Sequence, residues 1–136
     1  NAKRDWGHAK DYVEVQWMIL QNDQPKDYVI ATGRMETVKK FCELAACELG
    51  WNSGSSKNGL RWEGNGKDEI GIREDTGEIV IRVDDRYYRP TEVEELMGDS
   101  RKAKNELDWQ PKITLEELVS EMVREDKKLA LKELNQ

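Results

Sequence analysis

Apolar positions along this chain change period several times, and each change marks an element. Over about residues 8–21, Val13, Trp17 and Leu20 recur at helical spacing, flanked by Tyr12 and Ile19, and Pro25 closes the segment. The pattern predicts a first helix with Val13, Trp17 and Leu20 on its apolar face. Tyr28-Val29-Ile30-Ala31 is a short apolar run between turn signals and reads as a buried strand. Thr37 is placed to cap a second helix in which Val38, Phe41, Ala45 and Leu49 share a face and Gly50 ends the run. A polar loop follows at 51–59, then a probable strand, Leu60-Arg61-Trp62-Glu63. Ile70 and Ile72, and beyond an Asp75-Thr76-Gly77 turn Ile79 and Ile81, alternate with smaller or polar residues. That is a hairpin pattern, one face apolar and the other wet. Thr91-Glu92-Val93-Glu94 and Thr114-Leu115-Glu116-Glu117 both fit a capping box and are expected to start helices. In the last helix Leu115, Leu118, Val119 and Met122 form a core stripe, and past Asp126 the chain either continues as a solvated helix or frays.

Helices mixed with short strands and a local hairpin, without strict β-α-β alternation, give the class α+β. No internal repeat is evident, and no linker is long enough to split residues 1–136 into two domains. Composition narrows this further. A length of 136 residues suits one domain and is too short for a cofactor enzyme with a separate substrate domain. Hydrophobic and charged residues each make up 37%, and the mean hydropathy is −0.89, so the core is thin and the surface wet. With 22 basic and 28 acidic side chains the formal charge is −6, which argues against a nucleic-acid surface. No stretch has the roughly 18 apolar residues of a membrane-spanning helix, and the start has no signal-peptide core. Cys42 and Cys47, five apart in one helical pattern, fall on different faces and read as reduced thiols of a cytoplasmic protein. The first residue is Asn1, not Met, so the chain is expected to begin partway through a longer protein.

Candidate chemistry is sparse. Gly50, Gly54 and Gly59 lie in or beside the polar loop, without the strand before and helix after that a phosphate-binding glycine motif requires. His8 has no nucleophile in a recognisable motif and cannot build a metal site with two unsuitably spaced cysteines, so its expected role is structural. No catalytic and no metal residues are assigned. Two arginine clusters stand out. Arg4-Asp5-Trp6 sits at the mouth of the first helix, and Arg86-Tyr87-Tyr88-Arg89-Pro90 sits at the end of the hairpin, just before an expected helix. Guanidinium groups suit bidentate phosphate binding, and a helix N-terminus adds backbone donors. The competing reading is a surface salt bridge to Asp5, Asp84 or Asp85. Glu92, one helical turn beyond Arg89, is placed either to accept hydrogen bonds from a sugar diol or to stabilise a helix start.

Together these residues resemble the GDP-mannose 4,6-dehydratase family. Arg4-Asp5-Trp6-Gly7-His8-Ala9-Lys10-Asp11-Tyr12-Val13 is similar to the block opening that family's substrate-binding region, and Asp27-Tyr28-Val29-Ile30-Ala31-Thr32-Gly33 to its next block. Asp85-Arg86-Tyr87-Tyr88-Arg89-Pro90-Thr91-Glu92-Val93 looks like its Tyr-Phe/Tyr-Arg-Pro-x-Glu-Val block. Leu96-Met97-Gly98-Asp99-Ser100 and Leu107-Asp108-Trp109-Gln110-Pro111 resemble the closing ones. Asp85 stands where Pro is more usual and Tyr88 where Phe is common.

The resemblance implies the small C-terminal substrate-binding portion of an extended short-chain dehydrogenase/reductase, with the Rossmann domain absent. It implies NADP bound by that N-terminal domain, and conversion of GDP-mannose to GDP-4-dehydro-6-deoxy-mannose by oxidation, dehydration and hydride return. Arg4 and Arg89 are expected to hold the diphosphate and Glu92 the ribose hydroxyls. No Tyr here is followed four residues later by Lys, so the family's catalytic pair is absent and the chain alone is expected to be inert. Its expected partners are GDP-mannose and the Rossmann domain, with self-association through whatever surface that domain would cover. Two other readings stay open: a freestanding, non-catalytic sugar-nucleotide module, and a piece of a related epimerase or dehydratase.

Overall fold

The computed structural model describes residues 1–52, 58–89, 93 and 95–135. Among these it holds four α-helices and two three-stranded sheets, a mixed helix-and-strand architecture as expected. The chain divides into two compact units, Asn1–Val38 with Val93–Met122 and Lys39–Glu92 with Val123–Gln136.

The first unit is built on β1 (Lys3–Asp5), flanked by β2 (Met35–Thr37) and β6 (Glu95–Leu96). β1 runs antiparallel to β2, with Arg4 opposite Glu36, and parallel to β6, with Arg4 opposite Leu96. Neither β1 nor β6 is predicted by the sequence, because strands of three and two residues are too short to show a period of two. The expected helix start at Thr91-Glu92-Val93-Glu94 lies largely outside the described residues. The next two residues, Glu95 and Leu96, are strand and not helix.

α1 (Ala9–Leu20) forms where expected but turns a different face inward. Val15 is wholly buried, and Tyr12, Met18 and Ile19 pack around it, whereas Val13, Trp17 and Leu20 are 63%, 63% and 80% exposed. The helix is apolar around much of its circumference, so periodicity alone could not choose the buried stripe. Val15 meets Ala103 of α3 (Arg101–Leu107) and Trp109 just beyond it, and these form the core of this unit. Burying a side chain of Val15's size contributes about 1.5–3 kcal/mol. The run Tyr28–Ala31 lies against the same core through Tyr28 and Ile30 but has no regular secondary structure, so the expected strand is absent. Its backbone pairs with no strand among the described residues. At Gly98 a side chain would collide with the Cβ of Ala31, so glycine permits the closest approach of these two segments.

α4 (Leu115–Leu134) opens on the predicted capping box. The Thr114 N–H and hydroxyl both donate to Glu117 Oε2 (2.8 and 2.9 Å), and the Glu117 N–H donates to Thr114 Oγ1 (3.2 Å). Leu115 and Val119 are buried, but Met122 is 45% exposed, so the core stripe ends a turn early. Past Asp126 the helix continues with its side chains in solvent.

The second unit carries α2 (Val38–Glu48), apart from Val38, and an antiparallel sheet of β3 (Leu60–Glu63), β4 (Ile70–Arg73) and β5 (Ile79–Arg82) in that order. α2 stops as predicted at Gly50. Gly50 takes φ +81°, its N–H donates to Cys47 O, and the Trp51 N–H reaches Ala46 O, the two bonds of a Schellman motif. The hairpin turns at Asp75-Thr76-Gly77, but an irregularity between Gly71 and Ile72 breaks the strict alternation. Ile72 is buried, while Ile79 and Val80 are both about two-fifths exposed. Cys42 and Cys47 are free thiols, and burial pushes the Cys42 thiol up from its ordinary pKa.

Candidate functional site

Arg4 leads into a segment in which nearly every residue has a visible structural task. Asp5 staples the chain to the turn that follows Ala31: Oδ1 accepts the Thr32 N–H (2.9 Å) and hydroxyl (2.6 Å), and Oδ2 accepts the Gly33 N–H (2.8 Å). Gly33 sits at φ +76°, a left-handed conformation that favours glycine. At Gly7 a side chain would run into the Tyr12 ring and hydroxyl. Burial, with the nearby Asp5 and Asp11 carboxylates, pushes the Tyr12 phenol up from its ordinary pKa. His8 is the N-cap of α1, its Nδ1 accepting the Lys10 N–H at 3.0 Å. Asp11, 3% exposed, accepts the N–H groups of Lys112 (3.1 Å) and Ile113 (3.0 Å), and its carbonyl accepts Trp109 Nε1–H (3.1 Å).

Asp5, Gly7, His8 and Asp11 thus build a rigid mount, and Arg4 stands at its head in the central strand of the sheet. Its Nη1 donates to Lys3 O (2.7 Å) and Val93 O (2.9 Å), which tethers one end of the guanidinium to backbone. Sequence reasoning named Asp5 only as a salt-bridge partner and did not single out Asp11, so the supporting bonds of both are new from the structure. Alternation cannot show an aspartate whose partners are backbone N–H groups more than 25 residues away in the chain, at Thr32 and Lys112.

The second arginine cluster, in the other unit, divides. Arg86 pairs with Asp84, Nη2 to Oδ2 at 2.6 Å and Nε to both oxygens at 3.1 Å, and this holds the Asp84 carboxyl below its ordinary range. That is the salt-bridge alternative. Arg89 is exposed, without regular secondary structure, beside the exposed Tyr87 and Tyr88. Glu92 lies outside the described residues. Arg4 and Arg89 belong to different units.

A pocket of about 170 Å³ opens in the first unit, between Trp6, Thr32, Arg34 and the segment Pro111–Leu115. Its cation is already compensated. Arg34 makes a forked bond to Glu116 (2.8 and 2.7 Å) and a second pair to Glu36 (3.0 Å), which together raise its pKa further. Among the described residues no group of three or more His, Cys, Asp or Glu could hold a metal ion. No helix described is long and apolar enough to cross a membrane. Among the described residues no glycine-rich turn joins a strand to a helix in the manner that cradles the pyrophosphate of a dinucleotide.

The model of the family described as GDP-mannose 4,6 dehydratase matches residues 1–122. The chain belongs to the GDP-mannose 4,6-dehydratase family. It is 48% identical over 129 residues to the human GDP-mannose 4,6 dehydratase, an alignment covering 95% of this chain and 33% of that protein. To GDP-mannose 4,6 dehydratase 2 of Caenorhabditis elegans it is 52% identical, covering 93% of this chain and 31% of the relative. To the Vibrio cholerae GDP-mannose 4,6-dehydratase it is 49% identical, covering 96% and 36%. The chain therefore spans about a third of the length of the curated relatives it matches. The matched region of this dehydratase-family chain takes in the whole mount from Arg4 to Asp11 and the position of Arg89.

Proposed function

We propose that this chain supplies the sugar-nucleotide contacts of a GDP-mannose 4,6-dehydratase, a lyase of the extended short-chain dehydrogenase/reductase type. The observation that carries the reading is the mount at residues 4–11, within a family match over residues 1–122. Arg4 and Arg89 bind the diphosphate of GDP-mannose, and Glu92 accepts hydrogen bonds from the ribose hydroxyls. Charge-assisted bonds from a backbone-tethered guanidinium suit that task, because less side-chain freedom is lost on binding. Residues 1–136 together form part of one substrate-binding domain.

The reaction of the complete enzyme, GDP-mannose to GDP-4-dehydro-6-deoxy-mannose, draws its hydride chemistry from NADP. No residue of this chain is assigned a step in it, and the chain alone is inactive. The remainder of such an enzyme is its partner, in the cytoplasm. The exposed stripe of α1, Val13, Trp17 and Leu20, supports this, since it is an apolar surface that a further domain would cover.

Calorimetric titration of the 136-residue chain with GDP-mannose, GDP and a uridine diphosphate sugar tests the reading. The two guanosine ligands bind and the uridine ligand binds more weakly; equal affinities would remove the specificity claim. Arg89→Ala loses about 1.5–3 kcal/mol, one charge-assisted bond, and an unchanged affinity would return Arg89 to the role of a solvated surface cation. Turnover of GDP-mannose by this chain with added NADP would defeat the prediction of inactivity.

A further inference from the structure

The His8 side chain is 9% exposed and stands between two partners with opposite demands. Nδ1 accepts the Lys10 N–H at 3.0 Å, capping α1, while Nε2 lies 3.4 Å from Glu121 Oε2 on α4. A neutral imidazole has one acceptor and one donor nitrogen, so this geometry places the ring proton on Nε2, facing the carboxylate. A second proton has only Nδ1 to bind. There it turns the acceptor into a donor that points at another donor, the Lys10 N–H. The imidazolium gives up the cap, and its attraction to Glu121 grows.

The charged and titratable groups around it do not provide another route. Lys10 Nζ is 3.9 Å from the other oxygen of Glu121. The Asp11 carboxylate is held by the Lys112 and Ile113 N–H groups, and the Asp5 carboxylate by Thr32 and Gly33. The Tyr12 phenol stays protonated, its pKa raised by burial.

We propose that His8 is a positioning residue that gives up one of two partners on protonation: neutral, it faces Glu121, caps α1 and fixes the segment that carries Arg4; charged, it releases Lys10 and keeps Glu121 alone. The coupling to ligand rests on the diphosphate reading of Arg4; the release of Lys10 does not.

Nitrogen and proton NMR of the full chain across the titration of His8 decides the first part. The expected result is an Nε2–H tautomer in the neutral form. The Lys10 amide should exchange about tenfold faster once His8 is protonated, after correction for intrinsic pH dependence and along the same titration curve, as loss of one N-cap implies. An Nδ1–H tautomer, or Lys10 protection unchanged through the titration, overturns it. His8→Asn, which caps without titrating, should keep Lys10 protection constant over that range. Should that variant not fold, Glu121→Gln serves instead: the His8 Nε2–H resonance should lose the downfield shift that a carboxylate partner gives, and an unmoved resonance contradicts the pairing.

Affinity is then measured with GDP-mannose and not GDP, whose terminal phosphate itself titrates near pH 6. It should fall severalfold as His8 protonates and stay level in His8→Asn. A level profile in the unmodified chain with a moving cap defeats the positioning role. Absence of GDP-mannose binding at every pH defeats the diphosphate reading while the NMR result stands.

Discussion

Asp11 shows how one buried charge can replace several weaker contacts. It sits in the first turn of α1, where the helix dipole favours a carboxylate, yet its oxygen serves the Lys112 and Ile113 N–H groups about a hundred residues away in the chain. Asp11→Ala leaves those two donors without their acceptor at a nearly solvent-free position, so a loss of about 1–3 kcal/mol is expected in urea unfolding. Asp11→Asn should recover part of this, because an amide oxygen still accepts. Gly7→Ala is expected to cost about 1–3 kcal/mol for a different reason, since the added methyl meets the Tyr12 ring and forces it aside. The two substitutions separate lost hydrogen bonding from overpacking within four residues of the same motif.

Among elements, those that carry their own punctuation were legible from sequence. The Thr114–Glu117 capping box and the Gly50 stop are local signals read by local chemistry, and both appear as expected. Thr114→Ala should lower stability by about 1 kcal/mol, measured by thermal unfolding. α3 shows no apolar period because it has seven residues and Ala103 is the one buried among them; Ser100 takes its N-cap position without a side-chain capping bond, and the Asp99 carboxylate accepts the Arg101 N–H and pairs with the Arg101 guanidinium. These bonds hold the Asp99 carboxyl down to about 2, from an ordinary 3.8. A depressed carboxylate stabilises the fold above its unfolded value and loses that contribution as pH falls through the folded one. The melting temperature should therefore drop between about pH 4 and pH 2, and less steeply in Asp99→Asn. The Tyr28–Ala31 run illustrates the opposite failure. An apolar tetrapeptide signals burial, and Ala31 is 5% exposed, but whether it pairs as a strand depends on a neighbour that sequence does not reveal. For the candidate site, Arg4 was legible as a residue type in a motif. The mount beneath it was not, because its bonds join segments distant in the chain.

At the scale of the whole molecule, the mismatch between apolar pattern and burial is informative. Val13, Trp17 and Leu20 repeat at four and three residues along one side of α1 and face solvent. A stripe of that kind favours association, so light scattering after size exclusion should show mass rising with concentration, and Trp17→Lys should suppress the rise without lowering the melting temperature. A mass that stays constant in the unmodified chain would argue that the stripe is inert. The same arrangement has an optical consequence. Trp109 is 2% exposed with its indole N–H on a carbonyl, Trp62 donates to Glu43, Trp51 lies 4.3 Å beneath Arg73, and Trp17 stands in water. Emission from this chain is therefore a sum of bands from unlike environments. Trp17→Phe subtracts the reddest of them and leaves a blue-shifted spectrum dominated by the interior. Whatever comes to rest on α1 would be announced by the colour of a single indole.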